Sequence, residues 1–307
     1  MNKIVIKYYI TDVCNFTCDY CCVKSRRYKN LYTPTKEDID NLIKNLKLIH
    51  IEMIEIYGGE PTLNKHLCYF IEETHKQLNV KRYKIFTNGT GKKEVYEKIA
   101  ELRDIYNISI EILLSFHPKY SLEYIDNYHM INDLFHDDVK LKVLLDLRYK
   151  ENIDTFLNSG ITTKNKVICL MENSELPNNN KSFDVEQNLN ENIYHKSKEE
   201  LIEFLKKFNY TIDDAITMTY YNPNHNKICN SNCLTITSTG YINYDGCFRD
   251  LSERYKNFNV YKNMFYYKNI QKKCTNKYII NVPRCLQHIH ENQTDIGLSE
   301  LDFGIKI

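Results

Sequence analysis

The chain of 307 residues has no tryptophan, only nine glycines and six prolines, and no excess of either charge. Glycine and proline together make up about 5% of it, against about 12% in average usage, so each glycine is informative. Lys and Arg number 41 against 40 Asp and Glu, a formal charge of +1. No global field therefore draws in nucleic acid or an anionic membrane, and either partner would need a local patch. No apolar run approaches the ~18 residues of a membrane span, and Met1-Asn2-Lys3 leads straight into the strand-like IVIKYYI instead of a signal-peptide core. These absences predict a cytoplasmic protein without a membrane partner. The length predicts about two domains, one large and one small. The 25 tyrosines, with many Asn, Ile and Lys, read as nucleotide-composition bias and carry no function.

What the chain does have is a regular alternation. The runs 4–10, 51–57, 80–86, 108–116, 139–147 and 166–171 read as strands. Between them, Ile39, Leu42, Ile43, Leu46 and Ile49 keep helical spacing behind Thr35 and Asp38, a capping-box variant. Leu67, Phe70, Ile71, Thr74 and Leu78 form a second stripe, and Val95, Ile99 and Leu102 a third. Further helices are expected near 121–135 and 150–158. Six strands alternating with helices imply parallel βα units, hence a barrel, a partial barrel or a doubly wound sheet. In each of these, chemistry sits at the carboxyl ends of the strands. Residues 172–195 read as a linker. Ser197 and Glu200 then cap a helix, and LTIT, Ser238-Thr239-Gly240 and YINY read as a β-hairpin.

Eleven cysteines are distributed unevenly. Cys14, Cys18, Cys21 and Cys22 share a nine-residue window in which random placement gives about 0.3 cysteines. Cys229, Cys233, Cys247, Cys274 and Cys285 lie in the last quarter, and Cys68 and Cys169 read as buried thiols. In a reducing compartment clustered thiols read as metal ligands, so two groups suggest two centres. Three thiolates on one loop leave an iron of a [4Fe-4S] cube open, whereas structural zinc closes with four ligands. Zinc remains the alternative at both groups, and with it a non-catalytic zinc-binding interaction protein.

The spacing Cys14-x3-Cys18-x2-Cys21, with aromatic Tyr20 before the last cysteine, resembles the radical SAM superfamily. Gly58-Gly59-Glu60-Pro61 after the second strand resembles its GGE motif, and Thr87-Asn88-Gly89-Thr90 its third-strand segment. The resemblance, over residues 4–171, implies a partial (β/α)6 TIM-like barrel. It implies S-adenosylmethionine (SAM) bound to the open iron, the methionyl ammonium met by Glu60, and glycines that let backbone approach a ligand or adopt positive φ. Tyr20, Gly58, Gly59, Glu60, Asn88 and Ser115 are the cofactor-binding candidates, and His117 is the catalytic one. The implied reaction is reductive SAM cleavage and hydrogen abstraction from substrate, fed by a reductant such as flavodoxin or ferredoxin.

The later cysteines, around the hairpin, are similar to the auxiliary-cluster modules called SPASM and Twitch, with Twitch the better match. This implies a second [4Fe-4S] cluster in a small C-terminal cysteine-rich module over 229–307, after a core over 1–171 and a linker and helix over 172–228. Cys229 and Cys233 compete as its first ligand, ahead of Cys247, Cys274 and Cys285. An auxiliary centre favours oxidation or bond formation. Residues 254–284 hold eight basic residues, no acidic one and seven aromatics, a pattern suited to phosphate contact and base stacking. The same pattern fits a solvated face over core-facing rings. A small molecule or nucleotide is therefore the expected substrate class, with nucleic acid open. A peptide, as for peptide-modifying maturases, is less expected because the sequence starts directly at strand one.

Overall fold

Alternate residues of the first strands are apolar on one side and charged or aromatic on the other, and the computed structural model shows what each side meets. It describes residues 4–21, 31–161, 166–170, 193–212, 215–216, 220–221, 228–230, 233–243, 258–264, 271–273 and 278–279. The chain divides into two units. The first comprises Met1–Ser115, Tyr124–Lys140 and Ser231–Ile270, and the second Phe116–Glu123, Leu141–Asn230 and Gln271–Ile307.

In the first unit, β1 (Ile4–Tyr9), β2 (Ile51–Tyr57), β3 (Arg82–Thr87) and β4 (Ser109–Phe116) pair in parallel, in that order. Helices α1 (Lys36–Asn45), α2 (Leu67–Leu78) and α3 (Lys93–Tyr106) make the crossovers, and α4 (Ile125–Phe135) follows β4. The capping box at α1 forms as expected, Thr35 receiving the Asp38 amide and Asp38 the Thr35 amide. Glycine scarcity leaves its mark at helix ends. Asn79 after α2 (φ 55°) and Asn107 after α3 (φ 48°) take the left-handed position usually given to glycine, which asparagine tolerates.

The helices cover one face of this sheet. Tyr8 packs 4.9 Å from Phe70 of α2, and Tyr83 hydrogen-bonds Thr74 and the Ile71 carbonyl. The opposite face carries Lys7, Glu55, Lys84 and Glu111 in register across β1 to β4.

The hairpin predicted near 234–244 forms β10 (Cys233–Ile236) and β11 (Ile242–Asn243), turned through Gly240 at φ +81°. Its neighbour is β1: Val5, Ile6, Lys7 and Tyr8 pair in parallel with Cys233, Leu234, Thr235 and Ile236. The hairpin thus extends the first unit's sheet. With β10 on one side of β1 and β2 on the other, the sheet is not closed into a barrel through β1. The parallel α/β class is as expected.

The second unit takes β5 (Val139–Leu145) from Leu141 onward, and in it β5, β6 (Lys166–Leu170) and β7 (Ala215–Ile216) pair in parallel, with α5 (Lys150–Leu157) and α6 (Lys198–Lys206). Ser197 caps α6 by accepting from the Glu200 amide, and Glu200 returns a bond to Lys196. Two short antiparallel pairs join β8 (Tyr220–Tyr221) to β13 (Tyr278–Ile279), and β9 (Ile228–Asn230) to β12 (Gln271–Lys273). No helix among the described residues is long and apolar enough to cross a membrane.

Candidate active site at the strand ends

The β1–β2 ladder continues past both strand ends and ties the cysteine loop to the double-glycine loop. Ile10 donates to the Tyr57 carbonyl, Gly59 to Thr11 and Glu60 to Val13, at 2.7–2.8 Å. A Cβ on Gly59 would sit 2.1 Å from the Val13 carbonyl oxygen, and one on Gly58 2.6 Å from that of Thr11. Only glycine permits so close an approach. The expected positive φ is absent at both, since among the described glycines it occurs at 89, 160 and 240. Their close partner is the chain's own cysteine loop.

On that loop Cys18 is buried, and Cys14 and Cys21 are half-buried; none of the three is in a disulfide. Cys14 Sγ accepts from the Phe16 amide at 3.4 Å and from Asn88 Nδ2 at 3.9 Å. Asn88 Nδ2 also reaches Asn15 Oδ1 (3.1 Å), while Asn15 Nδ2 donates to Thr90 Oγ1 (2.8 Å). The third-strand segment is thereby fastened to the first loop, as the register of motifs predicted. Tyr20 is half-buried and Cys22 lies outside the described residues.

Glu60 is the joint of the three loops. Its Oε1 accepts from the Thr62 amide (3.1 Å), Thr62 Oγ1 (2.6 Å) and Thr87 Oγ1 (2.7 Å), and its Oε2 from the Asn88 amide (2.7 Å). The side chain is 1% exposed. Burial pushes its pKa up, against the four donors that favour the anion. The carboxylate expected to meet an ammonium is thus engaged by its own fold, with one lone pair of Oε2 beyond its single donor among the described residues.

Ser115 is half-buried. Its carbonyl accepts from Tyr128 of α4, whose hydroxyl also donates to the Asn88 carbonyl, and its own hydroxyl has no partner among the described residues. His117, in the second unit, is held well below the usual imidazole range, to about 3, by burial and then by the Lys142 charge. It is a neutral imidazole at physiological pH. Cys169 is buried, as expected, whereas Cys68 is only half-buried; burial pushes Cys68 up to about 11 and raises Cys169 as well, so neither is a reactive thiol.

Residues the motifs did not flag complete the rim. Asp12 Oδ2 accepts from the Tyr32 amide (3.3 Å) and from Ser238 Oγ (2.6 Å) at the hairpin turn. Tyr261 donates to the Ser238 carbonyl and meets Tyr8 at 2.8 Å. The only signal in the sequence was position: Asp12 stands two residues before Cys14.

Of the later cysteines, Cys229 lies in β9 of the second unit and Cys233 in β10 of the first. Cys247, Cys274 and Cys285 lie outside the described residues. Among the described residues no three Cys, His, Asp or Glu side chains converge into a metal-binding group. The donor set at the first loop nonetheless suits an iron–sulfur cluster: three thiols outside any disulfide on one loop, with N–H groups aimed at a sulfur.

A profile described as "Radical SAM superfamily" matches residues 8–171. The chain is 24% identical over 161 residues to "GTP 3',8-cyclase" of Aquifex aeolicus (strain VF5), covering 51% of this chain and 48% of that protein. It is 31% identical over 97 residues to "S-adenosylmethionine-dependent nucleotide dehydratase" of Fibrobacter sp. (strain UWH6), covering 29% and 28%. The matches thus span half or less of these relatives' lengths. Among solved structures, Streptococcus suis SuiB bound to S-adenosylmethionine superposes with a TM-score of 0.51 at 16% identity, over 85% of this chain and 64% of that one. That likeness is one of fold.

Proposed function

We propose a function from one premise: the chain belongs to the radical SAM superfamily. The reading is that it cleaves SAM reductively and removes a hydrogen atom from a small-molecule or nucleotide substrate. The observation that carries it is the fastening of the Cys14–Cys18–Cys21 loop onto the Gly58-Gly59-Glu60 and Thr87-Asn88 loops. Cys14, Cys18 and Cys21 would hold a [4Fe-4S] cluster that, with SAM bound, supplies a 5′-deoxyadenosyl radical.

The chain's own residues do the positioning. Asn88 and the Phe16 amide place N–H donors on Cys14 Sγ, which stabilises its thiolate charge. Glu60, by gathering four donors from two loops, fixes the rim so that reactants meet in one geometry. The spare lone pair of Glu60 Oε2 and the Ser115 hydroxyl are the polar groups offered to SAM. His117 is kept as a candidate catalytic residue, in its neutral form and not as a cationic acid. A low-potential donor such as flavodoxin or ferredoxin would supply the electron. An auxiliary cluster on the later cysteines, accepting the substrate electron, remains part of the proposal.

The nucleotide class is supported by the names of the two relatives above and by the basic, aromatic-rich stretch 254–284. The test is anaerobic reconstitution with iron and sulfide, then addition of dithionite and SAM. About four to eight irons per chain and 5′-deoxyadenosine are expected. A protein that takes up zinc without sulfide and forms no 5′-deoxyadenosine would be the interaction protein instead.

A further inference from the structure

The face of the first unit's sheet opposite Tyr8 and Tyr83 is built in layers. Lys7, Glu55, Lys84 and Glu111 make a cross-strand row of alternating charge; the first three are only 4–5% exposed. Lys84 and Lys140 stand 3.6 and 3.0 Å from Glu111. Two residues further along each strand, toward the carboxyl ends, the same face carries Tyr9, Tyr57 and Phe86. These rings form a ladder: Tyr9 to Tyr57 at 5.6 Å and 26°, Tyr57 to Phe86 at 4.0 Å and 18°.

Three features distinguish this ladder from core filling. Interior layers of parallel barrels are usually branched aliphatics, whereas here rings stand on a charged row. All three rings are half-buried, while Tyr8 and Tyr83, on the helix face of the same strands, are 0–1% exposed. The ladder also touches the rim in sequence. Tyr57 directly precedes Gly58-Gly59-Glu60, and Phe86 lies two residues before Asn88. Tyr57 is held by its hydroxyl, which donates to Glu55 Oε2 at 2.7 Å, so the ring is anchored from the charged row below.

We infer that the ladder of Tyr9, Tyr57 and Phe86 receives a planar heteroaromatic ring of the substrate, a nucleobase, stacked on one of its end rings, Tyr9 or Phe86, beneath the strand-end rim, since both faces of Tyr57 already lie against its neighbours. Aromatic side chains take bases by their π-faces, with little preference for sequence or hydrogen-bonding edge. A ring seated there lies one layer below the loops proposed to hold cluster and SAM. The inference rests on the radical SAM reading of that rim and adds the substrate's chemistry and the residues that select it.

The test uses the reconstituted full-length protein with SAM present. Equilibrium dialysis would be run against GTP, ATP, CTP and UTP, with ring-free tripolyphosphate and ribose 5-phosphate as controls. At least one nucleotide should bind and the ring-free controls should not displace it. At least one of Tyr9→Leu and Phe86→Leu, each with its thermal midpoint checked, should weaken that nucleotide about 5- to 100-fold, from ~1–3 kcal/mol per stacked base. SAM affinity should change by less than about twofold, well inside the effect of one stacked base. Because the chain lacks tryptophan, Phe86→Trp would place a single reporter in the ladder, with emission quenched by the nucleotide and not by tripolyphosphate.

Nucleotide affinity unchanged in both leucine variants with no quenching in the tryptophan variant would overturn the inference. So would an equal loss of SAM affinity, which would make the stacked ring the cofactor's adenine. Binding of no nucleotide by a protein that still forms 5′-deoxyadenosine would also remove it, leaving the radical SAM reading intact. Absence of 5′-deoxyadenosine with nucleotide binding retained would overturn that reading alone.

Discussion

The first cysteine group and the two described cysteines of the second sit in different settings. At the first, loops after β1, β2 and β3 are bound to one another through backbone bonds at Gly59 and Glu60 and through the side chains of Glu60 and Asn88. At the second, Cys229 and Cys233 lie in β9 and β10, strands of different sheets. The difference teaches that a cluster of cysteines in sequence becomes a candidate centre when separate loops hold its loop in place. Spacing alone supplies half of that.

The sharpest way to break the comparison is to remove one thiol from each group. Cys14→Ala, Cys18→Ala and Cys21→Ala should each reduce 5′-deoxyadenosine formation to background. Cys274→Ala should lower the iron content and product turnover while leaving uncoupled SAM cleavage. Equal loss of cleavage from both groups would erase the distinction. Next in size is the joint of the rim. Glu60→Ala leaves the buried amides of Thr62 and Asn88 without an acceptor, and should cost about 3–5 kcal/mol in the thermal or denaturant unfolding of the cluster-free protein.

Gly59→Ala drives a Cβ into the Val13 carbonyl and should cost about 2–3 kcal/mol by the same measurement. Gly58→Ala, with its nearest contact 2.6 Å away, should cost less. Ser238→Ala removes a bond to the buried Asp12 carboxylate and should cost about 1–2 kcal/mol. Its effect on the first loop would show that the hairpin, despite its place among the later cysteines, serves the first group. The last effect is one of slope. The pKa of His117 falls from 6.5 to about 3 on folding, so the unfolded chain binds the extra proton between those values. Stability from this group is therefore present above pH 6.5 and is lost as pH falls toward 3. His117→Phe should flatten the pH dependence of stability across that window.

Much of this was legible because its physics is local. Alternation of apolar residues marked β1 to β6, and Thr35 with Asp38 marked the start of α1. The three motifs fell at strand ends because parallel strands present those ends on one side. What was not legible depends on contacts distant in sequence. Nothing in LTIT or YINY says that β10 will lie beside β1, 228 residues away at Val5 and Cys233. Glu60 read as a ligand group because its motif says so, yet its partners Thr62, Thr87 and Asn88 are visible only in the fold. Of the two reasons expected for glycine at 58 and 59, positive φ is absent at both, and close approach holds with the chain's own cysteine loop as the partner.

The most direct test is electron paramagnetic resonance of the reduced, reconstituted protein in which Cys229, Cys233, Cys247, Cys274 and Cys285 are all alanine. A [4Fe-4S] signal that changes shape when SAM is added, and is absent when Cys18 is also replaced, is the predicted result. No cluster signal in the five-alanine protein, or one indifferent to both SAM and Cys18, would contradict the assignment of Cys14, Cys18 and Cys21 as the ligands.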